Sequence, residues 1–150
     1  MNYKVYKTHG ICEIKKEITK NDRDYLVIES LFNKLTIFID PNDKDLRDIV
    51  SEEEAAKILD FIRYGKVNVE RKNWNKRYNE YIMQLSSGIL DDVAEIYKKL
   101  RITQLTHDLS FGERKMLNQC KELLAFELAM ALNITEAEVC KQLNEIVIAA

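Results

Sequence analysis

Four cations flank the single tryptophan of the chain. They are Arg71, Lys72, Lys76 and Arg77, placed around Trp74 in the run RKNWNKR. Positive side chains attract phosphates whatever the base sequence, and an indole can stack on an unpaired base or wedge into the minor groove. The segment therefore indicates a nucleic-acid contact. The alternative is that Trp74 anchors a helix, because it shares a helical stripe with Tyr78, Tyr81, Ile82 and Leu85, and that the cations form a solvated face.

A second cationic segment stands at the predicted start of another helix. Ser110 and Glu113 have the spacing of a capping box, and Arg114 and Lys115 follow directly. The free N–H groups of a helix start, together with two cations, suit a phosphate. Gly112 in the first turn costs about 1 kcal/mol relative to Ala, which indicates a close approach of another group to the backbone. The alternative is an ordinary capped helix with two solvent-facing cations.

The cysteines and histidines do not predict a catalytic or metal site. The three cysteines, Cys12, Cys120 and Cys140, include no C-x-x-C pair, which is typical of a reducing compartment. Cys120 and Cys140 fall in helical phase with leucines and are predicted to be core thiols. A nucleophile built from Cys12 and His9 remains as an alternative, without an evident third group to orient it. We therefore predict no enzyme, no metal and no cofactor.

Composition limits the class of protein. The chain has 150 residues and a formal net charge of −2, so any contact with nucleic acid must come from a local patch. No apolar run reaches the roughly 18–20 residues that cross a bilayer, and the opening MNYKVYKTHG is unlike a secretory signal. We expect a cytoplasmic protein without a membrane partner.

The elements that must position these residues change character near residue 50. Before it, alternating and β-branched residues predict four strands, at 3–7, 11–13, 25–31 and 35–39. In the last strand Leu35, Ile37 and Ile39 point one way and Thr36, Phe38 and Asp40 point the other, so Phe38 either packs on a second domain or faces a partner.

After residue 50 the apolar spacing predicts five helices. They cover about 51–64, 74–85, 91–102 and 110–131, with the last starting at Thr135 and burying Val139, Leu143, Ile146 and Val147. Asn133 is predicted to be the left-handed C-cap of the fourth helix. The predicted fold is α+β, with a small β domain at 1–50 and an all-α domain at 51–150.

Several short stretches resemble the CarD-like (CdnL) bacterial transcription regulators. The clearest are NWNKRY at 73–78, LSFGERKML at 109–117 and YKTHGI at 6–11, and DYLVI at 24–28, LTI at 35–37 and LRDIV at 46–50 follow the same order. The resemblance covers essentially the whole chain. It implies a Tudor-like β domain, shared with transcription-repair coupling factors, that binds the RNA polymerase β subunit. It also implies a helical domain that contacts promoter DNA at the upstream edge of the transcription bubble.

The resemblance also assigns roles to residues. It implies that Trp74 wedges into the minor groove, while Lys76, Arg77, Arg114 and Lys115 lie near the DNA backbone, and that the effect is on open-complex stability. Arg71 and Lys72 join this predicted DNA-binding set by proximity.

The predicted polymerase face is Lys16, Ile18, Thr36 and Phe38. The chain departs from the family where Lys7 replaces a proline, and where Lys16 and Phe38 stand at positions that carry arginine in some relatives. A protein–protein adaptor that does not touch DNA is the alternative function. We expect a monomer, and exchange of strands between copies is conceivable because a small sheet has free edges.

Overall fold

The computed structural model describes residues 2–69 and 74–148, apart from the side chain of Trp74. The chain divides into two compact units, Met1–Ile49 and Val50–Ala150. We call them the β unit and the helical unit. The predicted α+β class, a small β domain followed by helices, is confirmed.

The β unit is an antiparallel sheet in the order β4-β3-β2-β1-β5. Its strands are β1 (Tyr3–Tyr6), β2 (Ile11–Lys20), β3 (Arg23–Ser30), β4 (Thr36–Ile39) and β5 (Leu46–Arg47). The prediction of four strands missed β5, whose two residues are too few to show a period. It also ended β2 seven residues early. The charged residues at 15–17 concealed the continuation of β2, which pairing with β3 supplies.

A tight turn and a bulge decide which side chains share a face of the sheet. Asn21 and Asp22 join β2 to β3 with φ of 53° and 60°, and a type I′ turn requires positive φ at both positions. Farther along, Ile14 pairs with Ile28 but Lys16 pairs with Val27. This β-bulge moves Lys16 to the face opposite Ile14, which simple alternation would not have given.

One face of the sheet carries the core of the β unit. Its buried residues are Tyr6, Cys12, Leu26, Ile28 and Ile39, with Ile14, Ile37 and Leu46 packed against them. The inward orientation predicted for Ile37 and Ile39 is thus confirmed. The prediction that Leu35 shares this orientation is wrong: Leu35 is 52% exposed, because the strand begins only at Thr36 and alternation does not extend to the residue before it.

The helical unit contains α1 (Glu52–Tyr64), α2 (Trp74–Leu85), α3 (Leu90–Thr106), α4 (Phe111–Leu132) and α5 (Glu136–Leu143). Capping boxes begin α1 and α4, and Asn133 ends α4 with φ of 55°. Both features were predicted. The last helix is shorter than predicted: it ends at Leu143, and Val147 is 52% exposed. The N–H of Val147 instead donates to the carbonyl of Arg63, at 2.8 Å.

The core of the helical unit is apolar, with a few buried polar groups that tie helices together. Its most deeply buried side chains include Ile62, Ile96, Tyr97, Leu100, Leu124, Leu128, Val139 and Leu143. Cys120 is also fully buried, as predicted, whereas Cys140 is only half-buried. The Nζ of Lys98 donates to the carbonyl oxygens of Phe61, at 2.9 Å, and of Gly65. Lys98 therefore satisfies carbonyls at the C-terminal end of α1.

Within the described residues, no helix is both long and apolar enough to cross a membrane.

Candidate nucleic-acid interface

The first turns of α2 and α4 lie against each other. A Cβ atom placed on Gly112 would be 3.3 Å from Cε2 of Tyr78, closer than ordinary van der Waals contact. Glycine at this position therefore lets the Tyr78 ring approach the start of α4. The close approach predicted at Gly112 is present, and the approaching group is Tyr78, which directly follows the tryptophan-containing segment RKNWNKR.

A buried ion pair joins the same two turns. Nη2 of Arg77 lies 2.9 Å from Oε2 of Glu113, and the two side chains are 18% and 4% exposed. The Nε atom of Arg77 is buried and has no hydrogen-bond partner among the residues that the structure describes. We call Arg77, Tyr78, Gly112 and Glu113 the α2–α4 junction.

Glu113 serves both the junction and the start of α4. Its backbone N–H donates to Oγ of Ser110, at 3.1 Å, and its carboxylate accepts from the Ser110 N–H, at 3.3 Å. Burial by itself would raise the pKa of Glu113, but hydrogen bonds from Arg77 and Ser110 outweigh burial and leave the pKa lowered. The carboxylate is therefore held in its charged form inside the helical unit.

The predicted DNA-binding residues fall into three groups. Lys76, Arg114 and Lys115 are exposed on the first turns of α2 and α4, where a phosphate could reach them. Arg77 is directed to Glu113, so its described contact is internal. Arg71, Lys72 and the side chain of Trp74 lie outside the described residues. From the sequence, Arg77 is assigned to DNA binding because it lies in a cationic run. Its partner Glu113 is distant in sequence and could not be predicted from that run.

The buried apolar stripe of α2 is narrower than the sequence predicts. Tyr81 and Leu85 are buried, at 5% exposure each, but Ile82 is 44% exposed. The prediction that Ile82 faces the core is therefore wrong. Successive helical residues turn by about 100°, so Tyr81 and Leu85 occupy the centre of the buried stripe and Ile82 lies at its edge.

The predicted polymerase residues share one face of the β unit. Lys16 and Phe38 both pair with Val27, Ile18 pairs with Tyr25, and Thr36 lies two residues from Phe38 on β4. Phe38 is 51% exposed. We call Lys16, Ile18, Tyr25, Thr36 and Phe38 the aromatic sheet face.

Sequence reasoning missed two members of this region. The Tyr25 ring lies 6.3 Å from the Phe38 ring between centroids, and the guanidinium of Arg23 lies 5.6 Å from the Tyr25 centroid. The alternation in RDYLV would have placed Arg23, Tyr25 and Val27 on one side. The bulge in β2 was needed to bring Lys16 and Ile18 to the same side.

The alternative nucleophile is not supported. Cys12 is fully buried, and its Sγ lies 3.6 Å from the carbonyl oxygen of Gly10. Burial raises the pKa of the Cys12 thiol to about 11, whereas a nucleophilic cysteine needs its thiolate near neutral pH. The ring of His9 stacks on Tyr6, with centroids 6.0 Å apart. Among the described residues, no group of three or more histidine, cysteine or acidic side chains could hold a metal ion.

Comparisons with known proteins match the helical unit in one case and nearly the whole chain in another. The family model described as "CarD, C-terminal domain" matches residues 57–144, more than half of the chain. The matched range includes α2, α3, α4 and the α2–α4 junction. A relative from Bacillus subtilis (strain 168), "Putative transcription factor YdeB", is 25% identical over 143 residues, which cover 90% of this chain and 92% of the relative.

Proposed function

The chain belongs to the CarD family of transcription regulators, and from this membership we propose that it docks on the β subunit of bacterial RNA polymerase and stabilises the open promoter complex. The family consists of regulators of transcription rather than enzymes. The proposal extends that general role to a specific partner, a specific DNA contact and a specific step.

The observation that carries the DNA contact is the α2–α4 junction. Arg77 and Glu113 join the first turns of two helices, and Lys76, Arg114 and Lys115 are exposed on those turns. Three cations on adjoining turns can follow one stretch of phosphate backbone. The first residue of α2 is Trp74, so an indole begins the same helix. This combination favours contact with DNA over an adaptor that binds protein alone.

Trp74 would act as a wedge at the upstream edge of the bubble. An indole inserted where bases have unstacked must be expelled before the bubble can close. A protein that prefers the open state shifts the equilibrium by its difference in affinity for the two states. Stacking of about 1–3 kcal/mol would lengthen the lifetime of the open complex by roughly tenfold.

The aromatic sheet face would provide the contact with polymerase. Interfaces are enriched in aromatic residues and arginine, and Tyr25, Phe38 and Arg23 cluster on this face. Docking raises the local concentration of the helical unit at the promoter. A weak DNA contact then suffices, which agrees with a net charge of only −2.

The DNA contact is tested with Trp74→Ala. We expect the variant to bind polymerase normally and to shorten the lifetime of an open complex by about tenfold, measured by competitor challenge on one promoter. Tyr64→Ala is the matched control, since Tyr64 is another aromatic of the helical unit and is 59% exposed. Equal lifetimes for Trp74→Ala and the unsubstituted protein would contradict the wedge.

The polymerase contact is tested separately with Phe38→Ala. We expect it to reduce co-elution with polymerase and with an isolated β-subunit lobe. Leu35→Ala is a close control, because Leu35 is 52% exposed, against 51% for Phe38, and lies next to the same strand. Normal binding by Phe38→Ala would contradict the assigned face. Polymerase binding with no effect of any DNA-facing variant would favour the adaptor function instead.

A further inference from the structure

An exposed aromatic residue opens α4 beside the two cations assigned to DNA. Phe111 is the first residue of α4, and 76% of it is exposed. Arg114 and Lys115 follow three and four positions later, which places all three side chains on one face of the helix. Both cations are exposed as well. This face therefore presents an exposed aromatic ring beside two positive charges.

Folding of the helix start does not account for Phe111. Ser110 and Glu113 supply the capping box, and the residue before the cap, Leu109, is the buried apolar one, at 7% exposure. Within the described part of the chain, the Phe111 ring takes part in no aromatic pair and lies under no cation. Phe111 is thus largely exposed to another molecule.

Charge identifies the class of that molecule. A ring flanked by cations on a helix face fits a nucleic-acid strand, because a base can cover the ring while neighbouring phosphates meet the cations. An apolar protein surface would leave Arg114 and Lys115 to be desolvated without partners, which is costly. The α2–α4 junction also brings this face next to the helix that begins at Trp74.

We propose that Phe111 is a second aromatic contact with nucleic acid, stacking on an unpaired base while Arg114 and Lys115 hold adjacent phosphates. The inference rests on the proposed function and deepens it. Trp74 acts as the wedge, and Phe111 provides a platform for a base that the open complex has released. Because stacking releases few counterions, the contribution of Phe111 is insensitive to salt, whereas that of Arg114 is strongly dependent on it.

The test uses the full chain in complex with polymerase and a forked promoter that carries 2-aminopurine at single positions along the bubble edge. We expect Phe111→Ala to remove the stacking signal at one position and to shorten the open-complex lifetime by about five- to tenfold, with the salt dependence unchanged. Phe111→Tyr should restore both. Phe111→Leu should restore neither, because leucine is apolar but has no ring to stack. Arg114→Ala should instead reduce the salt dependence.

Controls separate this inference from the function on which it rests. Leu105→Ala removes another exposed apolar side chain of the helical unit, at 67% exposure, and should have no effect. If Trp74→Ala and Arg114→Ala shorten the lifetime but Phe111→Ala does not, the platform is refuted and the proposed function stands. Full activity of Phe111→Leu would also refute stacking and point to a protein contact. If none of the three variants has an effect, the proposed function itself fails.

Discussion

Replacing Arg77 with Met would test whether the α2–α4 junction is held by its ion pair. Methionine keeps the length and apolar stem of the side chain but leaves the Glu113 carboxylate buried without its cation. Removing one partner of a buried ion pair costs about 3–5 kcal/mol. Arg77 is 18% exposed and the Ser110 N–H still reaches Glu113, so we expect a cost somewhat below that range, about 2–3 kcal/mol.

The stability difference between the unsubstituted protein and Arg77→Met should depend on pH. Because the pKa of Glu113 is lowered in the folded protein, its charged form stabilises the fold above the usual carboxyl range. That contribution is lost as the pH falls through the lowered pKa. The difference in the free energy of unfolding between the unsubstituted protein and Arg77→Met should therefore be largest at neutral pH. It should shrink once Glu113 is protonated in both.

The measurement is urea unfolding followed by far-UV circular dichroism, which reports mainly the helices. Arg114→Met is the matched control: the same substitution next to Glu113 in sequence, at an exposed position, should not lower stability, and removing a cation from the helix start should raise it by at most about 1 kcal/mol. Adding Glu113→Gln to Arg77→Met should recover part of the loss, because the buried charge is gone. A cost below about 1 kcal/mol at neutral pH, or one that does not change with pH, would refute the account.

Two further predictions concern packing and reactivity. Gly112→Ala should change stability little, since a gain in helix propensity of about 1 kcal/mol opposes crowding of Tyr78, whereas Gly112→Leu should destabilise the helical unit and weaken the DNA contact. Thermal unfolding would measure the stability of both variants. A Gly112→Leu variant as stable as the unsubstituted protein would contradict the close approach of Tyr78 to Gly112. Cys140, half-buried, should react with a maleimide well before Cys12 and Cys120, because burial raises the pKa of those two thiols to about 11 and about 12. Mass spectrometry of peptides from the folded protein checks the order, and early labelling of Cys12 would contradict it.

Local signals in the sequence predicted most of the helical unit. Ser51 and Ser110 occur at capping-box spacing, and Asn133 follows a long apolar stripe, so the boundaries of α1 and α4 could be predicted from their own residues. The end of the chain was predicted less well. Ile146 and Val147 continue the apolar spacing, but the helix stops at Leu143. Residues near the end of a helix are held by tertiary contacts that periodicity does not contain.

The β unit depended on pairing that no single segment reveals. Alternation within β4 correctly placed Thr36 and Phe38 on the side away from Ile37 and Ile39. Lys16 and Ile18 reached that face only through a bulge, which shifts the register between Ile14 and Lys16. Tyr25 was missed for the same reason: its contact with Phe38 is a relation between strands.

In the candidate DNA site, too, the sequence predicts individual segments but not the contacts between them. Arg77 looked like one more cation of a surface run, because its neighbours in sequence are cations. Its partner Glu113 looked like an ordinary capping residue, because Ser110 stands three positions before it. Only the fold brings the two together, so the sequence could predict the segments of the site but not the contact that joins them.

The first turn of α4 shows how this contact serves the proposed function. The first turns of α1, α3 and α5 carry two or three acidic residues each, as the helix dipole favours, whereas α4 has only Glu113 and adds exposed Arg114 and Lys115. Cations at a helix start cost about 0.3–1 kcal/mol each. Glu113 offsets only part of that cost, because its carboxylate accepts from the Ser110 N–H but is also paired with Arg77. The positive potential of the helix start therefore remains available to an anion outside. An arrangement that weakens the helix start in isolation becomes favourable once phosphates approach, which is expected of a site that binds DNA.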